Sequence, residues 1–306
     1  MKVKANGIEI EVEDVGGEGR PVVMLVMGLG MQLIAWPDAL VQALVDAGFR
    51  VVRHDNRDAG LSQGFDQSGN TNVLWQGLRY RLGLQVQSAY GIQDMANDAL
   101  GVLDALGIRH AHVVGASMGG MIAQRMAATD RARVTSLVSI MSSSGARGLP
   151  GPRADVLGLL MRRPAGSSED ALVAHSVGLI RVIAGPAYRQ DDAAVADRLR
   201  HAMRRAYRPK GLMRQMAAVG ADVGRETALS RIGCPTLVLH GDADPLVPIA
   251  CGKDTARRIA GARFVSIPGM GHDLPPQVVD LLLPHLIPFL QSAESPGTPV
   301  APGTSA

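Results

Sequence analysis

Gly115-Ala116-Ser117-Met118-Gly119 sets a serine among small residues, after the apolar run 112–114 and before the helical spacing of Met121, Ile122, Arg125 and Met126. A strand-to-helix turn tight enough to lift a side chain into the open needs residues without bulk two positions to either side, and this spacing supplies them. The chemistry it permits is nucleophilic attack by the Ser117 hydroxyl, with the following helix N-terminus favouring nearby negative charge. The bland alternative is a Gly-rich turn. A hydroxyl is a poor nucleophile at neutral pH, so attack needs a base and an orienting carboxylate, met along the chain in the order Ser, Asp or Glu, His. Two loops offer them: His240-Gly241-Asp242-Ala243-Asp244-Pro245 after the run 236–239, and Pro268-Gly269-Met270-Gly271-His272 after the run 263–267. Of the eight histidines, His272 is the one on a Gly-flanked loop past the last strand. Asp242 and Asp244 compete for the orienting role: Asp242 could instead cap the loop by accepting backbone N–H bonds, while Asp244, held before Pro245, stands farther out on it.

Acyl transfer also needs donors for a tetrahedral oxyanion. The N–H of Met118 is one candidate and the N–H of Leu29, in the loop Met27-Gly28-Leu29-Gly30, is the other. Gly28 permits a close backbone approach there. A phosphate-binding reading of the same loop lacks the third glycine and the strand-end acid of a dinucleotide site. Gly28, Met31, Trp36, Trp75, Met121 and Met141 are candidates to line a substrate pocket, although each also suits an ordinary core position.

These groups require strands to carry them. Apolar runs at 22–27, 49–52, 112–114, 134–140, 236–239 and 263–267 read as strands buried on both faces. Helical patterns lie between them, the clearest being Ile92, Met95, Ala96, Ala99, Val102, Leu103 and Leu106, closed by Gly107. Alternating strands and helices imply a mostly parallel sheet flanked by helices, with sites at the carboxyl ends of the strands. Residues 7–15 alternate like an antiparallel edge strand. From 145 to 225 the strand signal stops and helical stretches appear at 171–183 and 192–206, which predicts a helical cap inserted into a core of residues 1–144 and 226–291. Residues 292–306 have the Pro, Gly, Ser and Thr content of a disordered tail.

Composition narrows the partners. The 306 residues carry 3% aromatics and a formal charge of +3, which offers little for stacking on or neutralising nucleic acid. Residues 147–225 nevertheless hold 14 Arg and Lys against 7 Asp and Glu, so a basic cap covers an acidic core. Most of those arginines are expected on solvated helix faces, with a minority free to steer an anionic substrate. Two cysteines, no signal-like apolar segment and no run long enough to span a bilayer predict a cytoplasmic protein. Neither His nor Cys spacing suggests a metal, and no cofactor is expected.

Taken together these motifs resemble the α/β-hydrolase family over residues 1–291. Asp55-Asn56-Arg57-Asp58-Ala59-Gly60-Leu61-Ser62 is similar to the D-x-R-x-x-G-x-S loop of that family. Val26-Met27-Gly28, Trp36-Pro37, His112-Val113-Val114-Gly115 and Ile267-Pro268-Gly269-Met270-Gly271-His272 resemble its aclacinomycin methylesterase branch, whose members are bacterial. The resemblance implies Ser117 as nucleophile, His272 as base, Asp244 as orienting acid, and Leu29 and Met118 as oxyanion donors. It implies a small-molecule ester as substrate and leaves a homodimer, common in the fold, unselected by any residue. The chain departs from the branch at Leu29, where a glycine is usual, and across the cap. Ester hydrolysis therefore carries over and the branch's polyketide methyl ester does not. Carbon–carbon bond hydrolysis, thioester or lactone hydrolysis, and ligand reception use the same residues and stand as alternatives.

Overall fold

The computed structural model describes residues 1–69, 72–162 and 164–294. Eight strands form one sheet: β1 (Lys2–Ala5), β2 (Ile8–Val15), β3 (Val22–Val26), β4 (Arg50–His54), β5 (Ala111–Ala116), β6 (Val134–Ile140), β7 (Thr236–Gly241) and β8 (Arg263–Ile267). Their spatial order is β1-β2-β4-β3-β5-β6-β7-β8. From β4 onward across the sheet every pairing is parallel, while β1 and β2 run antiparallel to their neighbours. The Val- and Leu-rich runs of β3, β5 and β7 are buried throughout, as a strand covered by helices on both faces must be.

Two strand expectations need correction. The segment 7–15 is not the edge: it is β2, and β1 pairs outside it through a two-residue Asn6-Gly7 turn in which both residues have positive φ. Asn-Gly is the sequence signal for that hairpin turn. At the other edge β8 is half open rather than buried on both faces, because it has a neighbour on one side only.

Parallel neighbours demand crossovers, and the helices that make them form two layers. Helices α1 (Asp38–Asp46), α2 (Val73–Arg81), α3 (Ile92–Ala105) and α4 (Met118–Thr129) precede β6. The expected stripe of α3 is buried with Met121, Ile122 and Met126 of α4 against one sheet face, and Gly107 takes the left-handed conformation just past its end. The opposite face is covered by α1 and by a C-terminal helix, which contributes Val278, Val279, Leu282, Leu286 and Leu290.

Between β6 and β7 lie α5 (Ala154–Met161), α6 (Glu169–Ile183), α7 (Asp192–Arg205), α8 (Pro209–Ala221) and the short α9 (Arg225–Ala228), with no strand among the described residues. Ser168 and Asp191 cap α6 and α7 by accepting from Ala171 N–H and Ala194 N–H, and Pro209 opens α8. After them come α10 (Ile249–Arg258) and α11 (Pro276–Glu294). Helix α11 runs three residues into the expected tail, and Glu294 meets the Nε2 of buried His112 at 2.7 Å. The rest of that segment, 295–306, lies outside the described residues. Among the described residues no helix is long and apolar enough to cross a membrane.

The basic insertion is not simply solvated. Arg205 reaches Asp55 at 2.7 Å, Arg214 forms a two-bond pair with Asp58 at 2.7 Å, and Arg225 is buried against Asp222, Gln124 and the Ser143 carbonyl. Two of these partners belong to the Asp55–Ser62 loop of the core. Arginines expected to wait for an anionic substrate are thus partly taken up by carboxylates already beneath them.

Candidate active site

Ser117 sits at the β5–α4 junction with φ 56° and ψ −122°. This is a conformation costing about 1–3 kcal/mol for a residue with a Cβ. Its neighbours over-determine it: Ser117 N–H donates to the Ile140 carbonyl at 2.9 Å, and the Ser142 hydroxyl donates to the Ser117 carbonyl at 2.8 Å. The small residues of the motif are required by contact. A Cβ on Gly119 would stand 1.9 Å from the Val26 carbonyl oxygen, and one on Gly115 would stand 2.2 Å from that of Gly119. The serine hydroxyl is thereby held out at the carboxyl end of the central strand.

The Ser117 Oγ lies 2.9 Å from His272 Nε2, and His272 Nδ1 lies 2.7 Å from Asp244 Oδ2. Asp244 is fixed from its other side, where Oδ1 accepts the N–H groups of Leu246 at 2.9 Å and Val247 at 2.8 Å. Asp242, its competitor in the sequence, bonds Gly269 N–H at 2.7 Å and so braces the histidine loop. His240 stands behind Asp244 with its Nε2 bonded to the Val247 carbonyl at 2.7 Å, and burial pushes its imidazole below the ordinary range. At 3.7 Å from Asp244 Oδ2 that Nε2 is too far to bond it, so His272 Nδ1 is the imidazole nitrogen that Asp244 holds. Next to His272, burial pushes the Asp273 carboxyl up, against the opposing bond from the Gln190 amide at 3.0 Å.

The loop after β3 comes directly onto the serine: a Cβ on Gly28 would lie 3.1 Å from the Ser117 Cβ. Among the described residues neither the N–H of Leu29, directly after Gly28, nor the N–H of Met118, directly after Ser117, has a protein acceptor. Two unpaired donors beside a hydroxyl can receive an anionic oxygen.

The pocket expectations divide. Gly28 adjoins the serine, and Met31, 43% exposed, lies at the end of the same loop. Trp36 is 1% exposed in the core under α1 and α11, with its carbonyl accepting from Arg53. Met121 and Met141 are likewise core residues, on opposite faces of the sheet. Trp75 is 53% exposed on α2, so its ring faces solvent rather than walling a closed pocket. The Asp55–Ser62 loop also holds the site, as does Ile183, which no motif announced. Asn56 donates to the Met27 carbonyl at 2.8 Å, Asp55 accepts Leu33 N–H at 2.7 Å, and the Ile183 carbonyl at the end of α6 accepts His272 N–H at 2.8 Å. Among the described residues no three His, Cys, Asp or Glu side chains gather as a metal site.

Comparison with known proteins gives the same fold. Rhodomycin D methylesterase DauP of Streptomyces sp. (strain C5) is 30% identical, over 86% of this chain and 88% of that one. Non-heme chloroperoxidase CPO-A1 of Kitasatospora aureofaciens is also 30% identical, over 88% of this chain and 90% of that one. Among solved structures, the enol-lactonase of Burkholderia xenovorans LB400 superposes with a TM-score of 0.74 at 24% identity, over 95% of this chain and 100% of that one. The serine aminopeptidase S33 family matches residues 17–276. By this match and these relatives the chain belongs to the serine aminopeptidase S33 family and is a hydrolase of the α/β-hydrolase fold.

Proposed function

We propose that the protein is a serine carboxylesterase that hydrolyses small-molecule carboxylic esters through an acyl-enzyme on Ser117. The observation that carries this reading is the continuous chain from Ser117 Oγ to His272 and on to Asp244, at 2.9 and 2.7 Å. His272 Nε2 takes the hydroxyl proton as Oγ attacks the ester carbonyl, and Asp244 stabilises the imidazolium that results. The carbonyl oxygen becomes an oxyanion between the N–H groups of Leu29 and Met118, each worth about 3 kcal/mol to the transition state. The imidazolium then protonates the departing alkoxide. Water repeats the sequence on the acyl-enzyme, releasing the acid and restoring Ser117.

Relatives named for methyl ester hydrolysis support an ester over other acyl substrates. The helices within 145–225 act as a cap in this reading, since Ile183 and the residues of α8 touch the loops that carry His272 and Leu29. A cytoplasmic setting fits the free thiols of Cys234 and Cys251. The test is turnover of p-nitrophenyl acetate and butyrate by the wild type beside Ser117→Ala. Activity in the wild type that falls at least about a thousandfold in the variant is expected; equal activity in the two proteins refutes a serine mechanism.

A further inference from the structure

The buried side chain of Gln215, on α8, bridges two core loops. Its Oε1 accepts Gly30 N–H at 2.8 Å and its Nε2 donates to the Arg57 carbonyl at 2.8 Å. One partner is a donor and the other an acceptor, so the amide has a single satisfying orientation. Gly30 is the residue directly after Leu29. It stands third in the turn closed by Met31 N–H and the Gly28 carbonyl at 3.3 Å, with φ +69° as a type II turn requires. Glycine at that position leaves the Leu29–Gly30 peptide plane free to rotate unless something holds it. Gln215 holds it, and this plane directly follows the Gly28–Leu29 peptide that carries the Leu29 N–H.

The helix that carries Gln215 is itself anchored. A Cβ on Gly211 would lie 2.2 Å from the Asp58 carbonyl oxygen, so α8 sits backbone to backbone on the Asp55–Ser62 loop, and Arg214 pairs with Asp58 one residue before Gln215. A second amide ties the other end of the oxyanion loop to the same insertion. Gln32 Nε2 donates to the Ala202 and Ala206 carbonyls at 2.6 and 2.9 Å, closing the end of α7, while its Oε1 accepts from Arg205 at 2.7 Å.

We propose that Gln215 is a positioning residue for catalysis, through which α8 of the helical insertion fixes the Leu29 oxyanion donor. The role rests on the assignment of Leu29 N–H as that donor. The insertion then serves the chemical step as well as the substrate, because the donor on the core loop is aimed by a side chain from above it.

The test is Gln215→Met, with kcat expressed per site titrated to completion with a fluorophosphonate, so that only folded enzyme is counted. The expected result is a fall in kcat of about 10- to 100-fold with KM within about twofold, because the lost interaction acts in the transition state. Binding of a trifluoromethyl ketone, which forms a tetrahedral adduct on the serine, should weaken by the same factor. Gln215→Glu is the second variant. Its protonated carboxyl can accept from Gly30 and donate to Arg57, and the Arg57–Asp98 and Arg214–Asp58 pairs are its charged neighbours. Its kcat relative to wild type should therefore rise as pH is lowered. A kcat per titrated site equal to wild type in Gln215→Met, or a rise in KM alone, overturns the proposal. Failure of the serine mechanism shows separately, as full activity in Ser117→Ala.

Discussion

Replacing Asp244 with Asn isolates the orienting carboxylate, because the existing hydrogen bonds dictate how the amide must lie. Oδ1 of Asp244 accepts two backbone N–H groups, from Leu246 and Val247, and only an oxygen can serve there. The Asn oxygen is held at that position and its NH2 is turned towards His272 Nδ1. An NH2 can only donate, so Nδ1 must become the acceptor and the ring proton moves to Nε2. Protonated Nε2 has no lone pair for the Ser117 hydroxyl, which lies 2.9 Å away. The geometry survives while the base is in the wrong tautomer, a change that lowers kcat by about 10⁴ where a triad operates. That corresponds to about 5 kcal/mol of barrier. The assay is kcat on p-nitrophenyl butyrate for Asp244→Asn beside Asp242→Asn, with thermal melting of both. Asp242 bonds the Gly269 backbone and not the imidazole, so its variant should keep activity within about threefold. Activity above about a tenth of wild type in Asp244→Asn, or its loss in Asp242→Asn alone, refutes the assignment of Asp244.

Two further perturbations concern stability. Arg214→Met strands the Asp58 carboxylate, whose bonds from Arg214 and Tyr90 hold it below the usual range against the opposing effect of burial. The variant should lose about 3–5 kcal/mol in urea unfolding, part of it recovered when Asp58→Asn is added; an unchanged midpoint would show that α8 is not anchored there. The His54 imidazole is fully enclosed with neither ring nitrogen in a hydrogen bond of good geometry among the described residues, and burial lowers its pKa from 6.5 to about 4, against the opposing effect of the nearby Asn56 side chain. The unfolded chain therefore binds a proton that the folded chain refuses, so the stabilising effect of neutral His54 is complete above about pH 6.5 and is lost as pH falls towards about 4. The loss amounts to about 3 kcal/mol, and His54→Leu should flatten the dependence measured by unfolding across that interval. Parallel pH slopes in the two proteins would contradict it.

The elements most legible in the sequence were those whose pattern is enforced by a surrounding contact. Gly115 and Gly119 are visible because main-chain oxygens leave no room for a Cβ, and the α3 stripe is visible because it covers a whole sheet face. Composition does not separate pocket from core: Trp36, Met121 and Met141 suit either, because any large apolar residue near a strand end can wall a pocket or complete a core, and in the structure all three are buried in core clusters. The β1–β2 hairpin is announced by Asn6-Gly7, a two-residue signal that the alternation of the longer strand does not carry. Gln215 and Gln32 had no comparable signature. A single amide, whether in the Arg- and Ala-rich insertion or in a loop, reads as a solvated side chain until the fold brings a donor and an acceptor to it.

The division of charge acquires its physical meaning at the same contacts. A basic insertion over an acidic core would attract anions if both stood open to water, but Arg205 and Arg214 are turned onto Asp55 and Asp58. Those carboxylates sit in the loop that also supports Leu33, Phe65 and the Gln215 bridge, through Asp55 Oδ1, Asp58 Oδ1 and the Arg57 carbonyl. The opposite charges thus act as fasteners between two segments far apart in the chain. Once paired and buried they contribute little long-range field, and salt screens them far less than it screens exposed charges. In the proposed mechanism what the arginines supply is position: they hold α7 and α8 where two glutamine amides tie them to the loop that carries Leu29.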